Sequence, residues 1–72
     1  MKNYDKVKLI NLKNEYEKLG LKLGDTGIVM GEEKNGYVLV YFYGNIYQDK
    51  DGVYKTTEID AGILIEDLEI IK

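Results

Sequence analysis

Apolar and polar positions alternate with a period of two over most of the chain, the signature of half-buried β-strands. In KVKLINL, residues 6–12, Val7 and Leu9 share one face and Lys6 and Lys8 the other, after which Ile10 and Leu12 take the second parity. That switch predicts a first strand with a bend or bulge midway. Residues 14–24, NEYEKLGLKLG, carry helix formers at Glu15, Glu17, Lys18 and Leu19, with Asn14 placed as an N-cap and Gly20 as a stop. Gly20 and Gly24 limit this segment to one short helical turn or an excursion loop.

The next stretch, GDTGIVMGEE at 24–33, reads as a turn opening onto a short strand, with Gly24 and Gly27 at positive-φ or close-approach positions. Asn35-Gly36 favours a tight type I′ turn, so residues 26–33 and 37–43 are expected to pair as a hairpin. Its second arm, YVLVYFY, sets Val38, Val40 and Phe42 on one face and Tyr37, Leu39, Tyr41 and Tyr43 on the other. Apolar on both faces, it reads as a central strand, covered on both sides or wrapped into a small barrel. Turn signals at Gly44-Asn45 and Asp51-Gly52 predict a long connection or a second small hairpin over 44–52. VYKTTEID at 53–60 is strand-forming. After Ala61-Gly62, ILIEDLEII divides into a strand around Ile63–Ile65, a single turn at Glu66–Leu68 and a closing strand at Glu69–Ile71.

No repeat, low-complexity segment or boundary interrupts residues 1–72, so one domain is expected. The predicted fold class is all-β: a small barrel of five to six short antiparallel strands, with one excursion loop and a single helical turn before the last strand. Closure is the economical solution because it removes exposed edges from so small a sheet.

This order of parts resembles the Src-homology-3-like (SH3-like) barrel. The residues that carry the resemblance are KVKLI in the first strand, a loop of about a dozen residues, LKLGDTGIVMGEEKNGYVLVYFY, and IEDLEII as the one-turn helix running into the last strand. GDTGIV and the hairpin behind it are similar to those of KOW and nitrile-hydratase-accessory domains. YEKLGLKLGDTGIV with a terminal DLEII looks like small bacterial and phage-borne barrels of this length. The resemblance spans nearly the whole chain, and its motifs are structural, so they speak to fold far more than to function. Eukaryotic members bind proline-rich peptides in an aromatic groove. Here Tyr4 and Tyr16 match the loop side of such a groove, but its tryptophan and proline have no counterpart, and Glu66, Asp67 and Leu68 occupy the one-turn helix. That departure argues against polyproline recognition.

Composition narrows the chemistry. The chain has ten Lys against thirteen Asp plus Glu, a net charge of −3, and no Cys, His, Ser, Trp, Pro or Arg. Zinc fingers, thiol or serine nucleophiles, disulfides and imidazole bases are excluded by inventory. Asp, Glu, Lys, Tyr and the three threonines remain, in no spacing that reads as an active site, so no enzyme activity and no cofactor are expected. Without arginine, and with an acidic balance, direct nucleic-acid binding is disfavoured. The lysines at 2, 6, 8 and 13 read as a solvated strand edge. The longest apolar run, residues 38–43, is far short of the roughly 20 residues a membrane helix needs. MKNYDKVKLI lacks the apolar stretch of a signal peptide, so a cytoplasmic location is expected.

Asp49-Lys50-Asp51-Gly52 with Glu58 invites a calcium-loop reading, but glycine and glutamate fall at the wrong positions for it, and no metal site is expected. Seven tyrosines are more than so small a core can hold. Tyr37, Tyr41 and Tyr43 share one strand face, with Tyr47 and Tyr54 flanking the loop beyond it and Tyr16 on the excursion loop. These six form the candidate protein-binding surface, because tyrosine offers large contact area at low entropic cost. Glu58, Asp60, Glu66, Asp67 and Glu69 form a candidate acidic face suited to a basic partner. The expected function is a non-enzymatic protein-binding module using the tyrosine-rich face and loops. The alternative is an acidic phage or mobile-element inhibitor, of anti-CRISPR or antitoxin type, that blocks a basic nucleic-acid-binding partner. A homodimer through exposed strand edges is a further expectation.

Overall fold

A computed structural model of the chain describes residues 1–71, without the side chains of residues 44–47 and 57. Its elements follow in order: β1 (Lys6–Leu9), α1 (Asn14–Lys18), β2 (Thr26–Val29), β3 (Tyr37–Gln48), β4 (Tyr54–Leu64), a 3-10 turn (Ile65–Asp67) and β5 (Leu68–Ile70). The strands form one antiparallel sheet in the order β4-β3-β2-β1-β5. β4 and β5 are its two edges, and among the described residues no pairing joins them. The sheet is therefore open, where edge avoidance predicted closure.

Alternation decides which residues reach the core. Val7 and Leu9 from β1, Val29 from β2, and Val38, Val40 and Phe42 from β3 are buried on one face. Ala61 and Ile63 from β4 and Leu68 from β5 join them, with Tyr16 and Leu21 closing over the top. Each fully buried side chain of this size contributes about 1.5–3 kcal/mol through removal from water. Gly27 sits where β2 crosses β3 most closely: a Cβ there would stand 2.6 Å from the Tyr41 carbonyl oxygen and 2.7 Å from Val40 Cγ1.

The turns follow their glycines. Asn35 and Gly36 both have positive φ, 55° and 82°, as a type I′ turn requires. α1 ends where Gly20 takes a φ of +96°, letting the Leu21 N–H reach back to the Tyr16 carbonyl. Lys13, not Asn14, occupies the N-cap position, and no side chain caps the helix.

Three segments depart from the sequence reading. Ile10 and Leu12 lie outside β1 and are exposed, because the chain leaves the sheet after Leu9 instead of bulging within it. β3 continues to Gln48, so of the two expectations for 44–52 the long connection does not form; the segment belongs to a β3–β4 hairpin that turns over residues 49–53, where Gly52 takes a positive φ. β4 runs unbroken through Ala61-Gly62, because both residues are paired in register with Val40 and Leu39 of β3. Among the described residues the β2 pairing of β3 ends at Phe42, and β3 and β4 continue as a two-stranded arm after a register shift between Phe42 and Asn45.

Candidate functional site

The sheet face turned away from the core is built by the residues of opposite parity. Cross-strand register places Ile28 beside Tyr41, Tyr41 beside Asp60, Leu39 beside Gly62 and Tyr37 beside Leu64. Met30 continues β2 toward Leu39, donating its N–H to the Leu39 carbonyl at 2.8 Å. Leu39, Met30 and Tyr37 remain 48%, 45% and 43% exposed, while Ile28, Tyr41 and Tyr43 are half-buried by their neighbours. The Tyr41 and Tyr43 rings stack with centroids 6.1 Å apart and planes inclined by 24°. Burial, then the charge of Glu58 and a hydrogen bond to it, and the charge of Asp60, push the Tyr41 hydroxyl above its ordinary pKa. The result is a continuous apolar strip bordered on the β4 side by carboxylates.

The expected site residues divide between this face and other places. Tyr37, Tyr41 and Tyr43 lie on it together. Tyr54 is exposed on the projecting arm, at the start of β4. Tyr47 belongs to β3, and its side chain lies outside the described residues. Tyr16 is a correction: it is 1% exposed, a core residue with no surface to offer. Leu39, Ile28 and Met30 belong to the face; the sequence places Leu39 there without counting it among the candidate residues, and it does not single out Ile28 or Met30. Their signal was parity: each alternates with a buried neighbour, Val38 and Val40 on β3 or Val29 on β2.

The carboxylates do not form one face. Glu58 and Asp60 are exposed on β4, whereas Glu69 lies on β5 at the other edge of the sheet, paired in register with Lys8. Glu66 is exposed on the 3-10 turn, 3.6 Å from Lys13 Nζ. Asp67 is again a correction, being fully buried and not solvated. Its Oδ2 accepts the Tyr16 hydroxyl at 2.6 Å and stands 2.9 Å from Lys13 Nζ, and its Oδ1 accepts the Asn11 amide at 2.8 Å. The Leu64 N–H donates to the Tyr16 hydroxyl oxygen at 3.2 Å.

This network ties the excursion loop to the 3-10 turn. Burial pushes the Asp67 carboxyl up, but the hydrogen bonds from Tyr16, Lys13 and Asn11 and the Lys13 charge outweigh it and hold the carboxyl below its ordinary 3.8. Burial and the bond to Asp67 push Tyr16 up to about 12. With both Asp67 oxygens engaged, the group clasps the excursion loop to the 3-10 turn. A shallow depression on α1 is lined by Asn14, Glu17 and Lys18.

No three potential ligands converge on a metal position among the described residues, and no described helix is long and apolar enough to cross a membrane. Asp49, the head of the rejected calcium loop, instead accepts the N–H groups of Asp51 and Val53 and pairs with Lys55 at 3.2 Å. Comparison of the chain with protein-family models, with curated proteins and with solved structures finds no match in any of the three.

Proposed function

We propose that the chain is a non-enzymatic protein-binding module whose docking surface is the outer face of β2, β3 and β4. The observation that carries this reading is the exposed strip of Met30, Tyr37 and Leu39 running into the Tyr41–Tyr43 stack, on a sheet whose opposite face already supplies the core. Exposed aromatic and aliphatic side chains in one patch mark interaction surfaces, and tyrosine is enriched among residues that dominate binding energy. The SH3-like barrel belongs to the same reading. It is supported by the strand order β4-β3-β2-β1-β5, the 3-10 turn before the last strand, and the Tyr16 hydroxyl that bridges the excursion loop to the end of β4.

The test compares two charge insertions in the full chain used as bait. Leu39→Asp falls on the proposed face, and Leu23→Asp falls on an exposed leucine of the excursion loop. A partner held by the wild-type chain and by Leu23→Asp, and lost from Leu39→Asp, supports the face. Equal retention by both variants rules the face out.

The exposed Glu58 and Asp60 favour a second reading, an acidic inhibitor that occupies a basic nucleic-acid-binding partner. With Asp67 buried, Glu66 beside Lys13 and Glu69 at the other edge, this reading rests on two carboxylates where the sequence suggested five. Salt separates the two. An acidic mimic loses its partner steeply as ionic strength rises, whereas an aromatic interface is nearly indifferent.

A further inference from the structure

β4 is an edge strand of eleven residues that, among the described residues, pairs with β3 alone. The direction of its free backbone groups follows from one bond. The Leu64 N–H donates to the Tyr16 hydroxyl, so it points away from β3. Pairing with β3 is regular from Ile59 to Leu64, and backbone groups in an antiparallel strand alternate in direction. The N–H and C=O of Gly62 and Asp60 therefore point outward as well. Tyr16 caps this edge at its end and leaves the middle of it open.

Natural sheets protect such an edge with lysine, proline, a bulge or a covering loop. Residues 58–62 of β4, Glu58 to Gly62, contain no lysine and no proline, and the pairing is regular from Ile59 to Gly62, the register shift falling opposite Glu58. They present two carboxylates on the outer face, Glu58 and Asp60. Among the described residues the ion pairs are Lys13 with Glu66 and Asp67, and Lys55 with Asp49, so neither carboxylate has a cationic partner. Gly62, exposed and with open space where a Cβ would stand, leaves room for a bulky side chain on an adjoining strand.

Charge chooses the occupant. If a second copy paired its own β4 antiparallel to this one, a register centred on Asp60 would set Asp60 against Asp60. A register centred on Ile59 would set Glu58 against Asp60, and one centred on Ala61 would set Asp60 against Gly62 and leave the carboxylate without a cation. Like charges directly opposite each other are destabilising in a sheet. A strand with lysine or arginine on the matching parity meets Asp60 and Glu58 instead.

Resting on the reading of the outer face as a protein-docking surface, we infer that the free edge of β4 accepts a basic, extended segment of a protein partner as an added strand, held by the backbone groups of Asp60 and Gly62 and selected by Glu58 and Asp60. Backbone pairing supplies affinity and the alternate side chains supply selection, as in strand-addition complexes generally.

The test titrates the full chain, followed by heteronuclear NMR, with three octapeptides: alternating Lys and Val, alternating Glu and Val, and the Lys–Val peptide N-methylated at every second residue so that it cannot donate to the edge. Saturable shifts at Asp60 and Gly62 with the unmodified Lys–Val peptide alone support the inference, together with amide exchange slowed there by about tenfold or more. Glu58→Lys combined with Asp60→Lys, both exposed positions, is expected to abolish those shifts with the spectrum otherwise that of the folded chain. Equal binding of the N-methylated peptide overturns the inference, as does the absence of any saturable shift on β4. Shifts confined to Met30, Tyr37 and Leu39 also overturn it, while leaving the outer-face reading standing. A β4-paired dimer of the chain alone, seen as protected Gly62 in a sedimenting dimer, replaces the basic segment with a second copy and overturns it too.

Discussion

The Tyr16 hydroxyl donates to Asp67 Oδ2 at 2.6 Å, and both side chains are buried. Fifty-one residues separate them in the chain. Through this bond the excursion loop is fastened to the 3-10 turn, and the same hydroxyl takes the last outward N–H of β4. A buried carboxylate is tolerable only while its donors are in place, and removal of one leaves a desolvated charge behind.

Tyr16→Phe keeps the ring and its packing and removes the hydroxyl. Hydrogen bonds to charged groups are worth about 1.5–3 kcal/mol, and the Leu64 N–H loses its acceptor in addition, so a loss of about 2–3 kcal/mol is expected. In a domain of this size that is a large fraction of the total stability. Urea unfolding followed by circular dichroism checks it. A midpoint unchanged from wild type would show that the clasp contributes nothing. Asp67→Asn combined with Tyr16→Phe should cost less than the two single changes added together, because both act on one network.

The same network sets the pH dependence. Asp67 is held below 3.8 in the folded chain, so the unfolded chain takes up its proton first. Its stabilisation is complete above the unfolded value and is lost as pH falls through the folded one. Asp49 acts in the same direction, its carboxyl lowered by the Val53 N–H, Lys55 and the Asp51 N–H. Tyr16 has the opposite sign. Raised from 10.0 to about 12, it contributes stability that is complete below 10.0 and lost as pH rises through about 12. Stability is therefore expected to be flat through neutrality and to fall on both sides. In a tyrosinate absorbance titration Tyr16 should titrate late, as should Tyr41, and the late amplitude should shrink by one tyrosine in Tyr16→Phe. A titration without a late component, or a late amplitude unchanged in the variant, contradicts the assignment.

Local rules carried much of the fold. Asn35-Gly36 announced its turn, Gly20 its helix stop, and Val38, Val40 and Phe42 their common face, because each depends on neighbours within a few residues. Tyr16 and Asp67 were illegible for the opposite reason. A tyrosine in a short helical turn and an aspartate in IEDLE look solvated until the chain brings them together. The run through Ala61-Gly62 was misread as a break because glycine in a strand is decided by its cross-strand partner, here Leu39, and not by its own sequence. Closure was expected from the cost of exposed edges, yet β4 keeps a free edge. The candidate face was half legible: its tyrosines stood out by composition, whereas Ile28 and Met30 entered only through register with β3.

Two glycines provide a paired test of that packing. A Cβ on Gly27 would fall 2.6 Å from the Tyr41 carbonyl oxygen and 3.1 Å from Phe42 Cα, both backbone atoms that yield only if β2 and β3 move apart. Gly27→Ala is expected to destabilise the fold by about 1–3 kcal/mol, as overpacking does. Gly62→Ala meets nothing within 4 Å and requires no positive φ, so a change within about 0.5 kcal/mol is expected. Chemical denaturation of the two variants side by side checks the contrast, and equal midpoints would refute the close approach of β2 to β3.

The projecting arm of β3 and β4 makes a different demand, because a two-stranded ribbon without a third strand is marginal by itself. Its tip depends on Asp49. One carboxylate oxygen accepts the N–H groups of Asp51 and Val53 at 2.9 and 3.0 Å, and the other pairs with Lys55. The Gln48 side-chain amide donates to the Gly52 carbonyl at 3.0 Å, across the residue whose φ of +79° reverses the chain. Asp49→Ala removes three of these contacts and touches nothing in the core. Faster amide exchange is expected at Asp51 and Val53, spreading along the arm to Lys55, while Val40 and Ile63 keep their protection and the global unfolding midpoint holds. Loss of protection at Val40 and Ile63 would mean that the arm and the five-stranded body open as one unit. Unchanged exchange at Val53 would mean that backbone pairing alone sets the turn.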